Sequence, residues 1–260
     1  MGTNENNTDT LILAHADTER GKVDLISIPR DLYRKGLKIN AFHRLYGIDQ
    51  LVGELSDITG LKIDNYVTID MFALIEVIDI LGGIEVTLDK DLVDPTYRII
   101  RDDGTEGTMY YPKGTYQLNG VEALRIARSR YTTSDFDRAR RQQLVMKAMA
   151  EQLRAISLVD VSKIYRIIRT LATYVKTDLS VVEMLNYYLK YKDFPIDAGN
   201  VIDTGNVLLD TYTNMYLLNE QEFKAAKQDE DFDKGKYILI PRDGDWNLIR
   251  WYIRTHVLAD

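Results

Sequence analysis

The chain has 260 residues, 45% of them hydrophobic, which is enough apolar content to bury the core of one large domain. Its 33 basic and 40 acidic residues give a net charge of −7, which disfavours nonspecific nucleic-acid binding as the main activity. The chain contains no cysteine, which excludes disulfides and thiolate metal sites, and it has no apolar run of about 18 residues that would predict a transmembrane helix.

The first ninety residues alternate between predicted strands and helices. Residues 10–16 and 22–28 are β-rich runs that predict a hairpin, and Pro29 ends the second strand because proline has no N–H to donate. Apolar residues at helical spacing predict a helix over 48–58, which Gly60 stops. The next predicted elements are a strand at 65–69, a helix at 71–81 and a strand at 84–88, and this alternation predicts a partly parallel sheet with helices against it.

The rest of the chain is predicted to be mainly helical. Residues 89–112 lack a period and predict a loop or a small excursion from the main fold. Two helices follow, one over 117–126 and a second that begins at Ser134 or Asp135 and ends near Ala155. The later predicted elements are helices at 161–175 and 180–191, a strand pair within 201–218, a short helix from Asn219, a strand at 236–240 and a helix at 246–257.

No internal repeat, low-complexity tract or linker interrupts this pattern. The sequence therefore predicts a single domain over residues 1–260. The predicted fold class is α/β, an α-β-α sandwich in which a mixed central β-sheet is flanked by helices.

An excess of arginine lies at residues 123–143, around the start of the second central helix. Arg128 and Arg130 are two residues apart, so their side chains project the same way in an extended segment. On the helix that follows, a step of about 100° per residue places Arg138 with Gln142 on the apolar face, toward the protein body. The residues predicted on the opposite face are Arg140, Gln143, Lys147, Glu151 and Arg154.

An arginine turned toward the protein body needs negatively charged partners, because burying an unpaired guanidinium is costly. The nearby acids are Asp135 and Asp137, which are fewer than the nearby arginines. This surplus indicates a ligand with several negative oxygens, most simply a phosphate or pyrophosphate bound by forked hydrogen bonds. On the charge pattern alone, a structural network completed by acids elsewhere in the chain is an equal alternative.

Three motifs along the chain combine arginine or lysine with polar or acidic residues. They are Ser27–Asp31 (SIPRD), Lys38–Ala41 (KINA) and Arg128–Gln143, which has the form R-S-R followed by D-F-x-R-x-x-R-Q-Q. With the Leu81-Gly82-Gly83 turn between them, these motifs resemble the LytR-CpsA-Psr family of cell-wall glycopolymer transferases. The resemblance covers nearly all of the chain.

The resemblance implies a reaction and a set of ligands. Members of this family hold the pyrophosphate of a polyprenyl-linked glycopolymer with several arginines and a divalent cation, Mg²⁺ or Mn²⁺. Arginine forks and an oxygen-ligated cation neutralise the phosphate oxygens, as phosphoryl transfer requires. The residues that match the pyrophosphate-binding positions are Arg30, Lys38, Arg128, Arg130, Arg138, Arg141 and Gln142. The residues expected to be catalytic are Arg30, Arg128, Arg130 and Asp135.

For three residues of these motifs the sequence leaves the role open. Arg141 lies on the flank of its helix and is either a ligand or a structural residue. Asp135 either orients the arginines or accepts the proton of the attacking hydroxyl. Asp31 has the same two possible roles, and for this residue we favour the orientation of arginine.

The metal site departs from the family pattern. Asp9 corresponds to the aspartate of the family's R-[ST]-D-T motif and is the predicted metal ligand, but Asn7 stands in place of the arginine. The earlier strand whose G-x-D loop supplies a second carboxylate in the family is missing from these residues. One carboxylate is a poor Mg²⁺ site unless phosphate oxygens and water complete it.

The predicted function is transfer of a phosphoglycosyl polymer from a polyprenyl-pyrophosphate carrier to a peptidoglycan sugar hydroxyl, with release of polyprenyl phosphate. The expected partners are this lipid-linked polymer, peptidoglycan and the membrane surface, but not nucleic acid. The expected location is the extracytoplasmic face of the cell membrane, normally through an N-terminal anchor that these residues do not include. The incomplete metal site favours a second hypothesis, a protein that binds polyprenyl phosphates or pyrophosphates without chemistry.

A polyprenyl chain is long and apolar, so its transferase needs an apolar tunnel. The apolar residues of 48–58 and the residues Phe72, Ile75, Val77 and Ile78 are compatible with such a tunnel. They are equally compatible with an ordinary core, which has the same sequence signature.

Overall fold

The computed structural model describes residues 8–100, 104–131, 133–156, 160–229 and 231–259. The chain divides into two compact units. Unit 1 contains the residues up to Leu13, Ser27–Ile63 and the residues from Val201 onward, and unit 2 contains Ala14–Ile26 and Asp64–Asn200. Asp9, Arg30 and Lys38 therefore belong to unit 1, whereas the site residues predicted between 128 and 142 belong to unit 2.

The N-terminal elements follow the sequence pattern closely. The two runs predicted as a hairpin are neighbouring strands of one sheet, and the second ends at Ile28, directly before Pro29. The helix predicted to stop at Gly60 does so. This glycine has a φ of 69°, a left-handed backbone conformation that residues with a side chain rarely adopt. These elements are β1 (Leu11–Asp17), β2 (Lys22–Ile28), β3 (Tyr33–Arg34), β4 (Leu37–Lys38), α1 (Phe42–Tyr46) and α2 (Ile48–Thr59).

The middle elements confirm the predicted helices but not the predicted loop. Of the two predictions for 89–112, the loop is wrong, since these residues contain two strands that pair with each other as a small separate sheet. A bulge between Asp94 and Arg98 contains Pro95, and this irregularity removes the period that would have predicted a strand. The elements are β5 (Val67–Ile69), α3 (Met71–Leu81), β6 (Ile84–Leu88), β7 (Leu92–Ile100), β8 (Glu106–Tyr111), β9 (Gly114–Leu118), α4 (Gly120–Arg128), α5 (Asp135–Arg154), α6 (Val161–Tyr174), β10 (Val175–Thr177) and α7 (Val181–Tyr191).

The last elements correct one predicted pairing. Of the strand pair predicted near 201–218, one strand lies inside this range and the other ends at Val201. The two do not pair with each other: the first along the chain joins β2, and the second joins a strand further along the chain. The short helix after Asn219 is confirmed. The elements are β11 (Ile196–Val201), β12 (Leu208–Tyr212), α8 (Glu220–Gln228), β13 (Tyr237–Pro241) and α9 (Asn247–Tyr252), which continues as a π-helical turn at Ile253–Val257.

The described strands form one three-stranded sheet, in the order β1-β2-β11, and five two-stranded sheets. The two-stranded sheets pair β3 with β4, β5 with β10, β6 with β9, β7 with β8 and β12 with β13, each antiparallel. A parallel bridge joins Leu32 to Leu239. The predicted α/β class is confirmed. The partly parallel sheet expected from the strand–helix–strand run at 65–88 is not found, since β5 and β6 lie in different antiparallel sheets. The alternation of elements along the chain does not by itself determine which strands pair.

The core of unit 2 positions the arginine-rich helices. One buried cluster contains Ile78 of α3, Ile126 of α4 and Val145 of α5 together with residues of β6, β7, β8 and β9. A second buried cluster joins Val77 of α3 to Ile167 of α6. The sequence did not decide whether Val77 and Ile78 line a tunnel or belong to the core. Both are buried in core clusters, whereas the side chain of Phe72 is exposed.

Candidate functional site

Arg128 is the last residue of α4, and Arg130 lies in the short segment between α4 and α5, not in an extended stretch together with Arg128 as the sequence predicted. Both helices have well-defined N-termini. Asn119 begins α4 by a capping box with Glu122, in which each side chain accepts a hydrogen bond from the other residue's N–H. Ser134 and Asp137 form the same reciprocal pair at the start of α5. Each capping box satisfies N–H groups that the helix itself leaves unpaired, so both helices begin at defined residues.

Asp94 of β7 anchors this segment and was missed in the sequence, where it fell within the predicted loop. Its buried carboxylate accepts hydrogen bonds from the Ser129 hydroxyl at 2.7 Å and the Arg130 N–H at 3.4 Å. The N–H and hydroxyl of Thr96 donate to the same carboxylate. Burial opposes the charged form, but the hydrogen bonds of Thr96 and Ser129 outweigh it and lower the pKa of Asp94 below its ordinary value. The backbone at Arg130 is therefore tied to a strand of the same unit.

Arg141 supports the segment from the other side. Its Nε donates to the Ile126 carbonyl at 3.0 Å, and its Nη2 donates to the Ser129 carbonyl at 2.5 Å and to the Thr133 hydroxyl at 3.0 Å. Burial lowers the pKa of this guanidinium, while the charges of Asp137 and Asp94 oppose that shift. The cation thus occupies the C-terminal end of α4, where helix carbonyls lack partners. Of the two roles left open by the sequence, this geometry favours the structural one.

Arg130, Asp135 and Arg138 form a charged cluster at the start of α5. Arg130 donates from Nε and Nη2 to the two carboxylate oxygens of Asp135, at 2.8 and 3.0 Å. Arg138, one turn further along α5, has its Nη1 3.5 Å from Asp135 Oδ1. The Arg138 side chain is 9% exposed and that of Arg130 is 48% exposed. Asp135 lies between two guanidiniums, which suits the orientation of both better than the acceptance of a proton.

Arg128 and Gln142 stand apart from the other site residues of unit 2 in their lack of polar contacts. Within the described residues, neither side chain makes a hydrogen bond or an ion pair, and both residues are partly buried. A partly buried guanidinium has lost some of its hydration without gaining an acid, so an anion bound there would supply the missing partner.

Gln143 corrects the helical-wheel prediction for α5. The wheel placed it on the face opposite to Arg138, yet its side chain is fully buried. Its Nε2 donates to the Asn200 carbonyl at 2.9 Å, and its Oε1 accepts from the Gly199 N–H. The helix therefore has a second buried face, against β11, which a single apolar stripe does not reveal.

The site residues of unit 1 form a row of alternating charges. Arg30 Nη1 donates to Asp9 Oδ1 at 2.7 Å, and Arg30 Nε lies 3.6 Å from Asp31 Oδ2. Lys38 Nζ donates to the other oxygen of Asp31 at 2.6 Å. Backbone hydrogen bonds from Asn40 to Arg30 and from Leu239 to Asp31 hold the strand end in place. The structure thus brings together Asp9, Arg30 and Lys38, with Asp31 beside Arg30 in the position expected of an orienting residue.

The described residues do not by themselves fit a Mg²⁺ site. Asp9, the predicted ligand, is already ion-paired with Arg30. Among the residues that the structure describes, no group of three or more histidines, aspartates or glutamates could hold a metal ion. Magnesium prefers six oxygen ligands in near-octahedral geometry, so most of the ligands would have to come from substrate and water.

No helix in the described ranges is both long enough and apolar enough to cross a bilayer. The mixed α/β fold and the arginine cluster thus define a protein with a candidate site for a phosphate-bearing ligand. The LytR_cpsA_psr family model matches residues 1–231. The chain therefore belongs to the LytR-CpsA-Psr family, as the motifs indicated.

Two relatives from Bacillus subtilis (strain 168) show what this chain resembles. One is the polyisoprenyl-teichoic acid–peptidoglycan teichoic acid transferase TagV, 29% identical over 220 residues, which are 81% of this chain and 53% of TagV. The other is the polyisoprenyl-teichoic acid–peptidoglycan teichoic acid transferase TagT, which is 27% identical over 233 residues, or 88% of this chain and 70% of TagT. The chain spans about half the length of the first of these relatives.

Solved structures of similar proteins share the fold. The crystal structure of B. subtilis TagV has a TM-score of 0.68 and 24% identity, and the match covers 100% of this chain and 93% of TagV. The structure of TagT bound to LIIa-WTA has a TM-score of 0.69 and 20% identity, and covers 97% of this chain and 86% of that one. At these identities the likeness supports the α/β fold and nothing further.

Proposed function

We propose that this chain transfers a phosphoglycosyl polymer from a polyprenyl-pyrophosphate carrier to a sugar hydroxyl of peptidoglycan. Similar proteins are named teichoic acid transferases, which supports a role in glycopolymer transfer. In this proposal the protein acts at the extracytoplasmic face of the cell membrane and nucleic acid is not a partner.

The observation that carries the proposal is Arg128, the partly buried guanidinium that makes no hydrogen bond or ion pair within the described residues. Two residues away, Arg130 presents a guanidinium that is about half exposed and held in place by Asp135. A pyrophosphate carries several negative oxygens, so it can bind the free guanidinium and share the oriented one. Gln142 offers an amide donor for the same ligand.

In the proposed reaction, the hydroxyl oxygen of the acceptor sugar attacks the phosphorus that bears the glycopolymer. The bond between that phosphorus and the bridging oxygen breaks, polyprenyl phosphate leaves, and the hydroxyl proton passes to a base. Arg128 and Arg130 stabilise charge on the phosphate oxygens as the bond breaks. In this proposal Asp135 and Arg138 orient the Arg130 side chain. Asp94 and Arg141 hold the backbone between α4 and α5 in place. Arg30 and Lys38 remain proposed phosphate ligands.

We also propose that Mg²⁺ binds at Asp9 only together with the pyrophosphate, because the carboxylate of Asp9 alone supplies too few oxygen ligands. Titration calorimetry would then show Mg²⁺ binding in the presence of lipid pyrophosphate but not in its absence. Asp9→Asn should remove that binding. Tight Mg²⁺ binding to the protein without a phosphate ligand would contradict this assignment.

The test of the proposed function is a single-turnover assay with a lipid-pyrophosphate glycan and an acceptor glycan. Transfer produces polyprenyl monophosphate and a glycan joined to the acceptor through a phosphodiester, and both are detectable by mass spectrometry. Omitting the acceptor is the control, since release of monophosphate without acceptor indicates hydrolysis. A protein that yields neither product under any metal condition is not a transferase.

The second candidate is a protein that binds polyprenyl pyrophosphate without chemistry. The observation that favours it is the ion pair between Asp9 and Arg30, which occupies the predicted metal ligand. In the same assay a binder would retain the lipid unchanged and give no monophosphate, which separates the two candidates.

A further inference from the structure

Helix α6 presents an outer face that is both apolar and basic. Its inner face contains Ile167, which packs with Val77, Ile80 and Leu81 in a buried cluster. At about 100° per residue, the residues farthest from Ile167 form the α6 outer face. Its described side chains are those at least 100° from Ile167, and all of them are exposed: Tyr165, Arg166, Ile168 and Arg169, together with the smaller Ser162, Ala172 and Thr173.

The arginines of α6 have no acidic partner among the residues that the structure describes. The helix contains Lys163, Arg166 and Arg169 and no acidic residue. Within the described residues, the side chains of Arg166 and Arg169 make no hydrogen bond or ion pair. This contrasts with the whole chain, whose net charge is −7. The α6 outer face is thus a local basic surface on an acidic protein.

A second exposed apolar area lies at the end of α6, where Tyr174 falls within about 20° of Ile167 and is therefore not part of the α6 outer face. The ring of Tyr174, the last residue of α6, lies 6.4 Å from that of Phe72, which is 64% exposed. In the adjoining pair of strands, Ile69 lies opposite Val175, and the exposed Val67 lies on the same face. Helix α7 buries no residue and carries a stripe of exposed aliphatic side chains of its own, formed by Val181, Val182, Leu185 and Leu189.

We infer that the α6 outer face binds the surface of a lipid bilayer that contains anionic lipid. A helix that combines aromatic, aliphatic and basic side chains on one exposed face lies well in the interface of a membrane. The apolar groups enter the headgroup region, and the cations meet lipid phosphates that supply the counter-charge the protein lacks. This inference does not depend on the proposed transfer reaction, because membrane binding is measured without donor or acceptor.

The charge part of the inference is tested by co-sedimentation of the full chain with vesicles of phosphatidylcholine, with or without phosphatidylglycerol. Binding should require phosphatidylglycerol. A cation near an anionic surface contributes roughly fivefold in affinity, so Arg166→Ser with Arg169→Ser should weaken binding on the order of thirtyfold. The matched control is Lys224→Ser with Lys227→Ser on α8, which removes the same charge from another exposed helix and should leave binding unchanged.

The apolar part is tested in the same way with Tyr165→Ser and Ile168→Ser. This pair should weaken vesicle binding about tenfold, because apolar area no longer leaves water. The control pair Tyr216→Ser and Leu217→Ser removes an exposed aromatic and an exposed aliphatic residue of unit 1 and should have no effect. Thermal unfolding of each variant identifies loss of fold.

Three results would overturn the inference. The first is equal loss of binding in the test and control variants, which would mean that net charge alone determines binding. The second is no binding of the wild-type chain to either vesicle. The third is a dimer in sedimentation equilibrium that the Arg166 and Arg169 substitutions dissociate, since the surface would then bind a second copy of the chain.

Discussion

At the scale of single residues, Arg128 and Arg140 form a matched pair of arginines. Arg128 has no hydrogen-bonding or ionic partner within the described residues, whereas Arg140 lies 3.5 Å from Asp137 and is 43% exposed. Removing one charge-stabilising donor from a transition state typically costs about 100- to 1000-fold in rate. We therefore expect Arg128→Ala to abolish transfer in the single-turnover assay without changing the thermal midpoint. Arg140→Ala should retain transfer, and equal loss in both variants would contradict the assignment.

The same reasoning applies to Arg130, whose ion pair with Asp135 is too exposed to stabilise the fold by more than about 1 kcal/mol. Arg130→Ala should lose transfer and unfold within a few degrees of the wild type, as measured by calorimetry. Arg130→Lys keeps the charge but not the fork to Asp135, so it should recover only part of the activity. Full activity of Arg130→Ala would remove this residue from the catalytic set.

Asp94 should make stability depend on pH. Its folded pKa lies below the ordinary value of 3.8, so its contribution is fully present above about pH 4 and is lost as the pH falls through the folded pKa. The free energy of unfolding of Asp94→Asn should therefore fall below that of the wild type at neutral pH and approach it in acid. The exposed Asp91, which accepts from Lys113 and Tyr110, provides the control variant Asp91→Asn. If Asp91→Asn lost as much unfolding free energy at neutral pH as Asp94→Asn, the burial of Asp94 would not be the cause of its stabilising effect.

At the scale of elements, the contact between α3 and α4 leaves no room for a side chain at the start of α4. A Cβ at Gly120 would lie 2.7 Å from the Ile75 Cα and would overlap its carbonyl, and the Gly120 N–H donates to Asp79 at 2.7 Å. Gly120→Ala should therefore shift α4 and lower the thermal midpoint by more than about 5 °C. It should also reduce transfer, since α4 ends at Arg128.

The control for this substitution lies in α2. Gly53 is an exposed helical glycine with no heavy atom within 4 Å of its would-be Cβ. Gly53→Ala should stabilise the protein by about 0.5–1 kcal/mol, because alanine restricts the unfolded chain and favours helix. A stabilised Gly120→Ala would show that the two helices can separate freely.

Elements with a strong local signal were predictable from the sequence. α3 was predicted with its observed bounds, and the Gly82-Gly83 turn marked its end. In the structure, the Asp70 side chain also caps its start by accepting from the Ala73 N–H. The pair β7 and β8 was missed because Pro95 and the bulge interrupt the alternation. Pairing was missed where the partner is distant, as for β12 with β13, because nothing in a strand's own sequence identifies its partner.

The same limit applies to the candidate site. The inward position of Arg138 followed from helical spacing and is confirmed by its burial. The contacts of Asp94 and Gln143 could not be predicted, since each joins residues more than 30 positions apart. The sequence Asp94-Pro95-Thr96 did contain one local signal, because an aspartate that accepts from the N–H two residues later is typical of a turn.

At the scale of the whole molecule, the net charge of −7 opposes association with nucleic acid. Nonspecific DNA binding depends on cations that replace the counterions of the phosphates, with dissociation constants of roughly 10⁻⁴ to 10⁻⁶ M. We expect no shift of duplex DNA in an electrophoretic assay at low salt with micromolar protein. A shift that weakens steeply with added salt would show a DNA-binding surface and contradict this expectation.

The pairing of Arg130 with Asp135 has a consequence for which solutes compete at the site. Because a carboxylate already balances this guanidinium, the pair attracts passing anions such as chloride or acetate only weakly from a distance. A ligand gains there only by fitting several oxygens to donors whose directions are set in advance. Discrimination at this point therefore depends on the shape and spacing of the anion's oxygens, and ordinary buffer salts should be poor inhibitors.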